Sequence, residues 1–168
     1  MSQAKNKLRW CLKKAESELK GQGKHRGLIK IKPDKEKAKE YIKKAEHYFN
    51  ATEYLKDGNY SDISASTVFY SMYHCLLAIA AKFGYESGNQ ECTFALIYAL
   101  IEDKEIDISL ESIKKISELD TAKNINTTID IREQYQYGTK LSLDDNTYKE
   151  LLELAKHILS KTKVIIES

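Results

Sequence analysis

A chain of 168 residues is long enough for one domain with its own hydrophobic core. Its 42% hydrophobic and 31% charged residues are ordinary for a globular protein, and one proline and seven glycines supply little turn chemistry for an all-β fold. The first 20 residues are amphipathic and highly charged, and the longest apolar run is about ten residues, so we expect a cytoplasmic protein without a signal peptide or membrane span.

Helical periodicity dominates the pattern along the chain. The predicted elements, in order, are a helix over 5–19, an extended segment over 28–33, a helix from Asp34 to about Asp57, a central helix over 61–83, a loop over 84–88, a short helix over 90–101, a helix from an N-cap at Ser109 to about Leu119, a helix over 121–137 stopped by Gly138, and a last helix over 145–166. Such lengths and connections predict an all-α fold, an antiparallel up-and-down bundle of five or more helices.

Charge divides the chain into a basic N-terminal helix and loop, residues 1–32, and a helical bundle, residues 33–168. The first segment carries ten Lys and Arg against two Glu, a net charge of +8, while the whole chain is only +2. A basic arm on a mildly acidic body suits contact with nucleic acid or an acidic partner. The alternative is that a lysine-rich helix is simply solvated surface.

The cysteines and histidines indicate no metal or cofactor site. Cys11, Cys75 and Cys92 are odd in number and widely spaced, which predicts buried free thiols without a disulfide framework. His74 has no second metal-binding side chain one turn away in its own helix.

The central helix is apolar almost all round and must lie in the middle of the bundle. Its most buried positions are predicted to be Val68, Met72, Leu76 and Ile79. One sector nevertheless carries small or polar residues, namely Ser64, Thr67, Ser71, His74 and Ala78, with Tyr70 beside it. This sector is either a seam for a neighbouring helix, with hydroxyls bonded back to carbonyls one turn earlier, or a polar stripe that lines a cleft.

A second candidate is Arg132, late in its helix, with Thr128 one turn before it and Gln136 one turn after. The guanidinium either complements the helix dipole and pairs with a carboxylate, or holds a phosphate in a bidentate manner.

Three segments together carry a family resemblance. They are Tyr70-Ser-Met-Tyr-His74 with the Ala/Leu-rich run to Ala81, Arg132 with Tyr135-Gln-Tyr137, and Lys44-Ala-Glu46 before Tyr48. The combination, over about residues 35–166, resembles the small stand-alone prokaryotic branch of the HEPN (higher eukaryotes and prokaryotes nucleotide-binding) superfamily. The resemblance implies a homodimer whose Arg-bearing helices face each other.

We expect Arg132, Tyr137, Tyr70 and His74 to converge on one polar pocket or cleft, because the helix that carries Arg132 and the central helix must be neighbours in so small a bundle. In such a site the arginine would bind phosphate, the tyrosine rings would stack on a base, and the imidazole would form a hydrogen bond.

The chain departs from the ribonuclease members of the superfamily, which carry a histidine four to six residues after the arginine. Here that window holds Gln136, Tyr137 and Gly138, and the next histidine is His157. We therefore expect a non-catalytic module that binds a nucleotide, RNA or a protein partner, such as a nucleotidyltransferase in a toxin–antitoxin pair. The alternative is a metal-independent ribonuclease in which His74 or His157 replaces the missing histidine.

Overall fold

The computed structural model describes residues 1–118 and 127–168, and within them the fold is all-α, as predicted. The elements are α1 (Gln3–Gln22), β1 (Leu28–Lys30), α2 (Lys35–Asp57), α3 (Ser61–Lys82), β2 (Tyr85–Ser87), α4 (Gln90–Glu102), α5 (Leu110–Ile116), α6 (Thr128–Tyr137) and α7 (Asp145–Glu167). The predicted helical residues 121–126 lie outside the described residues.

Side-chain caps set the starts of several helices. Asp34 accepts a hydrogen bond from the Lys37 amide at the start of α2, and Ser109 caps α5 as predicted by accepting from Ser112. At the start of α6, Thr127 and Asp130 form a reciprocal capping box. These contacts satisfy amides that lack a partner inside the helix.

The central position of α3 is confirmed. Its neighbours are α2, α4, α6 and α7, and Val68, Met72, Leu76 and Ile79 are at most 1% exposed. Within the described residues α3 alone has the length and composition of a membrane span, with a mean hydropathy of 1.4 over its most apolar window. Because 61% of that window is buried inside the protein, α3 is the core helix of the bundle.

The sector of small residues on α3 is the seam against α2. Ser64 Oγ donates to the Thr52 carbonyl at 2.9 Å and Ser71 Oγ to the Ala45 carbonyl at 2.8 Å, so these hydroxyls reach across to α2. The predicted bonds back to the preceding turn are therefore wrong for these two serines. Small side chains let the helices approach closely enough for α2 carbonyls to come within reach.

The loop prediction for residues 84–88 was also wrong in part, because β2 pairs with β1 in a two-stranded antiparallel sheet. The pairing joins segments far apart in sequence, and Tyr85-Glu-Ser87 has no strong strand pattern of its own. Gly27 precedes β1 where a Cβ atom would lie 2.4 Å from the Cys11 carbonyl oxygen, so the strand enters directly against α1.

Two of the three cysteines form a disulfide, and the prediction of free thiols was wrong for them. Cys11 of α1 and Cys92 of α4 are bonded and fully buried, whereas Cys75 is a free buried thiol. The packing of α1 on α4 brings the two Cα atoms to 5.7 Å, a separation that a disulfide spans. Burial raises the pKa of the Cys75 thiol to about 12, so this thiol is unreactive.

We expect thiol titration in denaturant to find one free thiol per chain without reductant and three with it. Cys92→Ala should lower the free energy of unfolding by about 4–5 kcal/mol, since the disulfide closes a loop of 81 residues. Chemical denaturation measures this loss. The double variant Cys11→Ala/Cys92→Ala is the control and should show no further change on reduction. Three free thiols in the oxidised protein would contradict the disulfide.

Candidate functional site

Helices α2 and α3 form a hairpin whose outer side carries a row of aromatic side chains. On α2, Tyr41, Lys44 and Tyr48 are spaced by three and four residues and so share one helix face. On α3, Tyr70 and His74 are one turn apart and border the seam with α2. All five are only partly buried or exposed, so this part of the central helix remains accessible to solvent.

The four rings form a chain of contacts in the order Tyr41, His74, Tyr48 and Tyr70. The Tyr48 and His74 rings are stacked with centroids 5.2 Å apart, and the Tyr48 and Tyr70 centroids are 5.5 Å apart. The Tyr41 ring lies 6.1 Å from His74. We call these four residues the tyrosine–histidine surface.

The imidazole of His74 has a defined tautomer. Its Nδ1 is 2.7 Å from the Tyr70 carbonyl oxygen, and because a carbonyl can only accept, Nδ1 carries the hydrogen. The neutral ring then keeps a lone pair on Nε2. Burial lowers the pKa of His74 below its ordinary 6.5, the Tyr70 carbonyl opposes this shift, and the nearby Lys44 adds to it. The ring is therefore a neutral hydrogen-bond acceptor at pH 7.

Two ammonium groups lie over the rings of α2. Lys44 Nζ is 5.2 Å from the Tyr48 centroid. Lys37 Nζ is 5.6 Å from the Tyr41 centroid and also pairs with Glu40 at 3.1 Å, so Lys44 supplies the larger share of the positive charge. Both contacts are of the cation–π type. The surface thus combines flat π-faces, an imidazole acceptor and positive charge, which are the features that recognise a nucleobase and its phosphate.

Arg132 lies elsewhere, between α6 and α3. Its guanidinium carbon is 4.9 Å from the Phe69 ring centroid, Nη1 donates to Gln136 at 3.1 Å, and the residue is 8% exposed. Nη2 is 3.5 Å from Glu133 of the same helix, and Nε is buried without a partner among the described residues. In this arrangement the guanidinium packs α6 onto the core, and a phosphate would have to displace Glu133 or Gln136.

Of the four predicted site residues, the structure brings Tyr70 and His74 together. Arg132 is connected to them through Phe69, whose ring is edge-on to Tyr70 at 5.4 Å. Tyr137 is the last residue of α6 and is 78% exposed, with no hydrogen bond or ring contact to the other three. The convergence of Arg132 and Tyr137 with the tyrosine–histidine surface stays a prediction.

His157, the other histidine considered from the sequence, lies in a groove of about 760 Å³ between α5, α6 and α7. Thr128 and Ile131 of α6 line the same groove, but Arg132 does not. The His157 imidazole therefore faces α6, but it does not share a cavity with the Arg132 guanidinium.

Sequence reasoning missed the contribution of α2 to the surface. Tyr41, Lys44 and Tyr48 form an i, i+3, i+7 row, and this periodicity was the available signal. Their contact with His74 depends on the tertiary packing of α2 against α3, which the row by itself does not reveal.

The lowered pKa of His74 predicts a pH dependence of stability. Because the folded protein binds this proton less readily than the unfolded chain, stability should fall as the pH drops below about 6.5. His74→Gln should remove this part of the pH dependence, and His47→Gln, an exposed histidine of α2, is the matched control substitution. Urea midpoints between pH 5 and 8 measure the effect, and identical profiles for His74→Gln and the wild type would disprove it.

Comparison with known proteins shows to which family the chain belongs. A family model described as the HEPN domain matches residues 38–165, from the start of α2 almost to the end of α7, which is most of the chain. No curated protein matches the chain. The match includes α3 and α6, which carry the residues of the resemblance, and leaves α1 and β1 outside. The chain belongs to the HEPN domain family, whose members are nucleotide-binding and ribonuclease-like modules.

Proposed function

We propose that this protein is a non-catalytic HEPN module that binds RNA or a nucleotide on its tyrosine–histidine surface. The observation that carries the proposal is the chain of contacts among four partly exposed rings beside Lys44. Stacking of bases on aromatic rings tolerates different sequences, while ammonium groups track phosphates. The neutral His74 ring adds an Nε2 acceptor for a base amino group or a ribose hydroxyl.

The surroundings of Arg132 support the non-catalytic part of the proposal. Its guanidinium is bound by Gln136 and Glu133, and the motif window after it holds no histidine. An acid–base pair for RNA cleavage needs an imidazole or an equivalent group within reach of the reacting atoms. A ribonuclease that uses His157 is the second candidate, because His157 faces α6 across the groove beside α5.

We expect a fluorescently labelled 12-nucleotide RNA to bind the protein in fluorescence anisotropy, without cleavage on a gel in the presence of chelator. Tyr48→Ala should weaken binding by about 5- to 100-fold, the loss expected for one base–ring stack. Tyr54→Ala is the matched control, since Tyr54 lies on the same helix, is 79% exposed and contacts no other ring in the part of the chain that the structure describes.

Equal affinities of the two tyrosine variants would disprove the role of the surface. Cleavage that survives chelator and is lost in His157→Ala would establish the ribonuclease instead. Thermal unfolding of each variant shows whether a lost activity reflects a lost fold.

We propose further that the protein is a homodimer. Tyr60, Ile63, Tyr137 and Leu141 are large apolar side chains between 46% and 80% exposed. Tyr60 and Ile63 lie at the start of α3, and Leu141 is close in sequence to Leu143, whose amide donates a hydrogen bond to Ser61 Oγ of α3. Tyr137 is the last residue of α6. A two-fold interface needs only one such self-complementary patch.

Light scattering at micromolar concentration should return twice the chain mass of 19.3 kDa, and Leu141→Glu should shift the protein towards monomer. Val164→Glu, at an exposed valine on α7, is the control. A wild-type protein that is monomeric throughout this range would contradict the dimer. A nucleotidyltransferase partner, which the resemblance to toxin–antitoxin pairs implies, is tested by co-purification from the native host and mass spectrometry.

A further inference from the structure

The outward side of α1 gathers positive charge around the single tryptophan of the chain. Arg9, Trp10 and Lys13 are exposed there, and Lys7 and Lys14 flank the indole at i−3 and i+4. We call these five residues the α1 outer face. It lies outside residues 38–165, the part matched by the HEPN model.

The opposite side of α1 packs against the core of the protein. Ala4, Cys11 and Ala15 are buried there, and Cys11 is bonded to Cys92 of α4. Leu8 and Leu12 pack on the same core. A covalently anchored helix presents its outer face in a fixed orientation, which favours a binding surface over a loosely attached arm.

Most of the charge on the outer face is not neutralised by the protein. Lys7 pairs with Glu91 of α4, but within the described residues no carboxylate pairs with Arg9, Lys13 or Lys14. The body of the protein, residues 33–168, has a net charge of −6, so the positive potential is concentrated on the N-terminal segment. This distribution is complementary to a polyanion.

Trp10 points to the kind of polyanion. Its side chain is 46% exposed, and the ammonium groups of Lys7 and Lys14 lie 4.1 and 5.0 Å from the ring centroid. A cation–π contact at an exposed site is weaker than the stacking of a nucleobase on an aromatic ring. A base can therefore displace an ammonium group from the indole, and the released lysine can bind the adjacent phosphate.

A membrane surface fits these observations poorly. Insertion of an interfacial helix needs an apolar face to bury among the lipids, and the apolar stripe of α1 is already packed in the core. An acidic protein segment would match the charge and leave the indole without a specific role.

We propose that the α1 outer face docks single-stranded RNA, with a base stacked on Trp10 and phosphates on Arg9, Lys13 and Lys14. Single-stranded RNA offers unpaired bases, which a duplex does not. The proposal extends the proposed RNA-binding function by a second contact site, and it depends on that function only for the class of ligand.

The single tryptophan makes the test specific to this face. Unlabelled oligouridylate should quench Trp10 emission over the same concentration range in which the labelled strand gains anisotropy. Trp10→Ala should weaken binding of the labelled strand by about 5- to 100-fold. Lys13→Gln should reduce the slope of log Kobs against log salt by about 0.7, the value for one phosphate contact with a single strand. Lys156→Gln, the same change of charge on α7, is the control and should leave the slope unchanged.

The outcomes separate this site from the tyrosine–histidine surface. RNA binding with unchanged Trp10 emission, or equal slopes for Lys13→Gln and Lys156→Gln, would overturn the α1 site and leave the proposed function intact. Quenching that persists in Tyr48→Ala with unchanged affinity would support the α1 site and overturn the role of the surface. Quenching by polyglutamate as strong as by RNA would overturn the assignment to RNA, since an acidic polymer carries no bases.

Discussion

The enclosure of α3 is the constraint on which the rest of this structure depends. A helix that is apolar around almost its whole circumference is stable in water only when neighbours cover it. Here α2, α4, α6 and α7 do so, and the side chains from Val68 to Ile79 that face them are buried. The sector bearing Tyr70 and His74 stays partly open, and the chain places its aromatic and polar groups there.

The packing of α2 against α3 creates the tyrosine–histidine surface. Ser64 and Ser71 are small enough for α2 to approach, and their hydroxyls bind its carbonyls, so the two helices are held in a defined register. That register places Tyr48 against His74. The same hydrogen bonds that stabilise the core therefore position the rings that we propose to bind RNA.

The arginine of the family motif is held by contacts within this chain. Arg132 is buried over Phe69, with local partners on its own helix, and the histidine that would complete a catalytic pair is absent from the motif window. Outside the family region, α1 is attached to α4 through Cys11 and Cys92 and adds a basic, tryptophan-bearing face. Both features are consistent with our proposal that RNA binds at surfaces other than the arginine motif.

The all-α class, the central place of α3, the cap at Ser109 and the family could be read from the sequence, because they depend on local periodicity and on residue types at fixed spacing. Tyr70 and His74 were recognised for the same reason. Only the tertiary structure decided the disulfide, the β1–β2 pairing and the contact of Tyr48 with His74. Each of these contacts joins segments that are brought together only by helix packing. The number of residues between two segments does not reveal how far apart they lie in the folded protein.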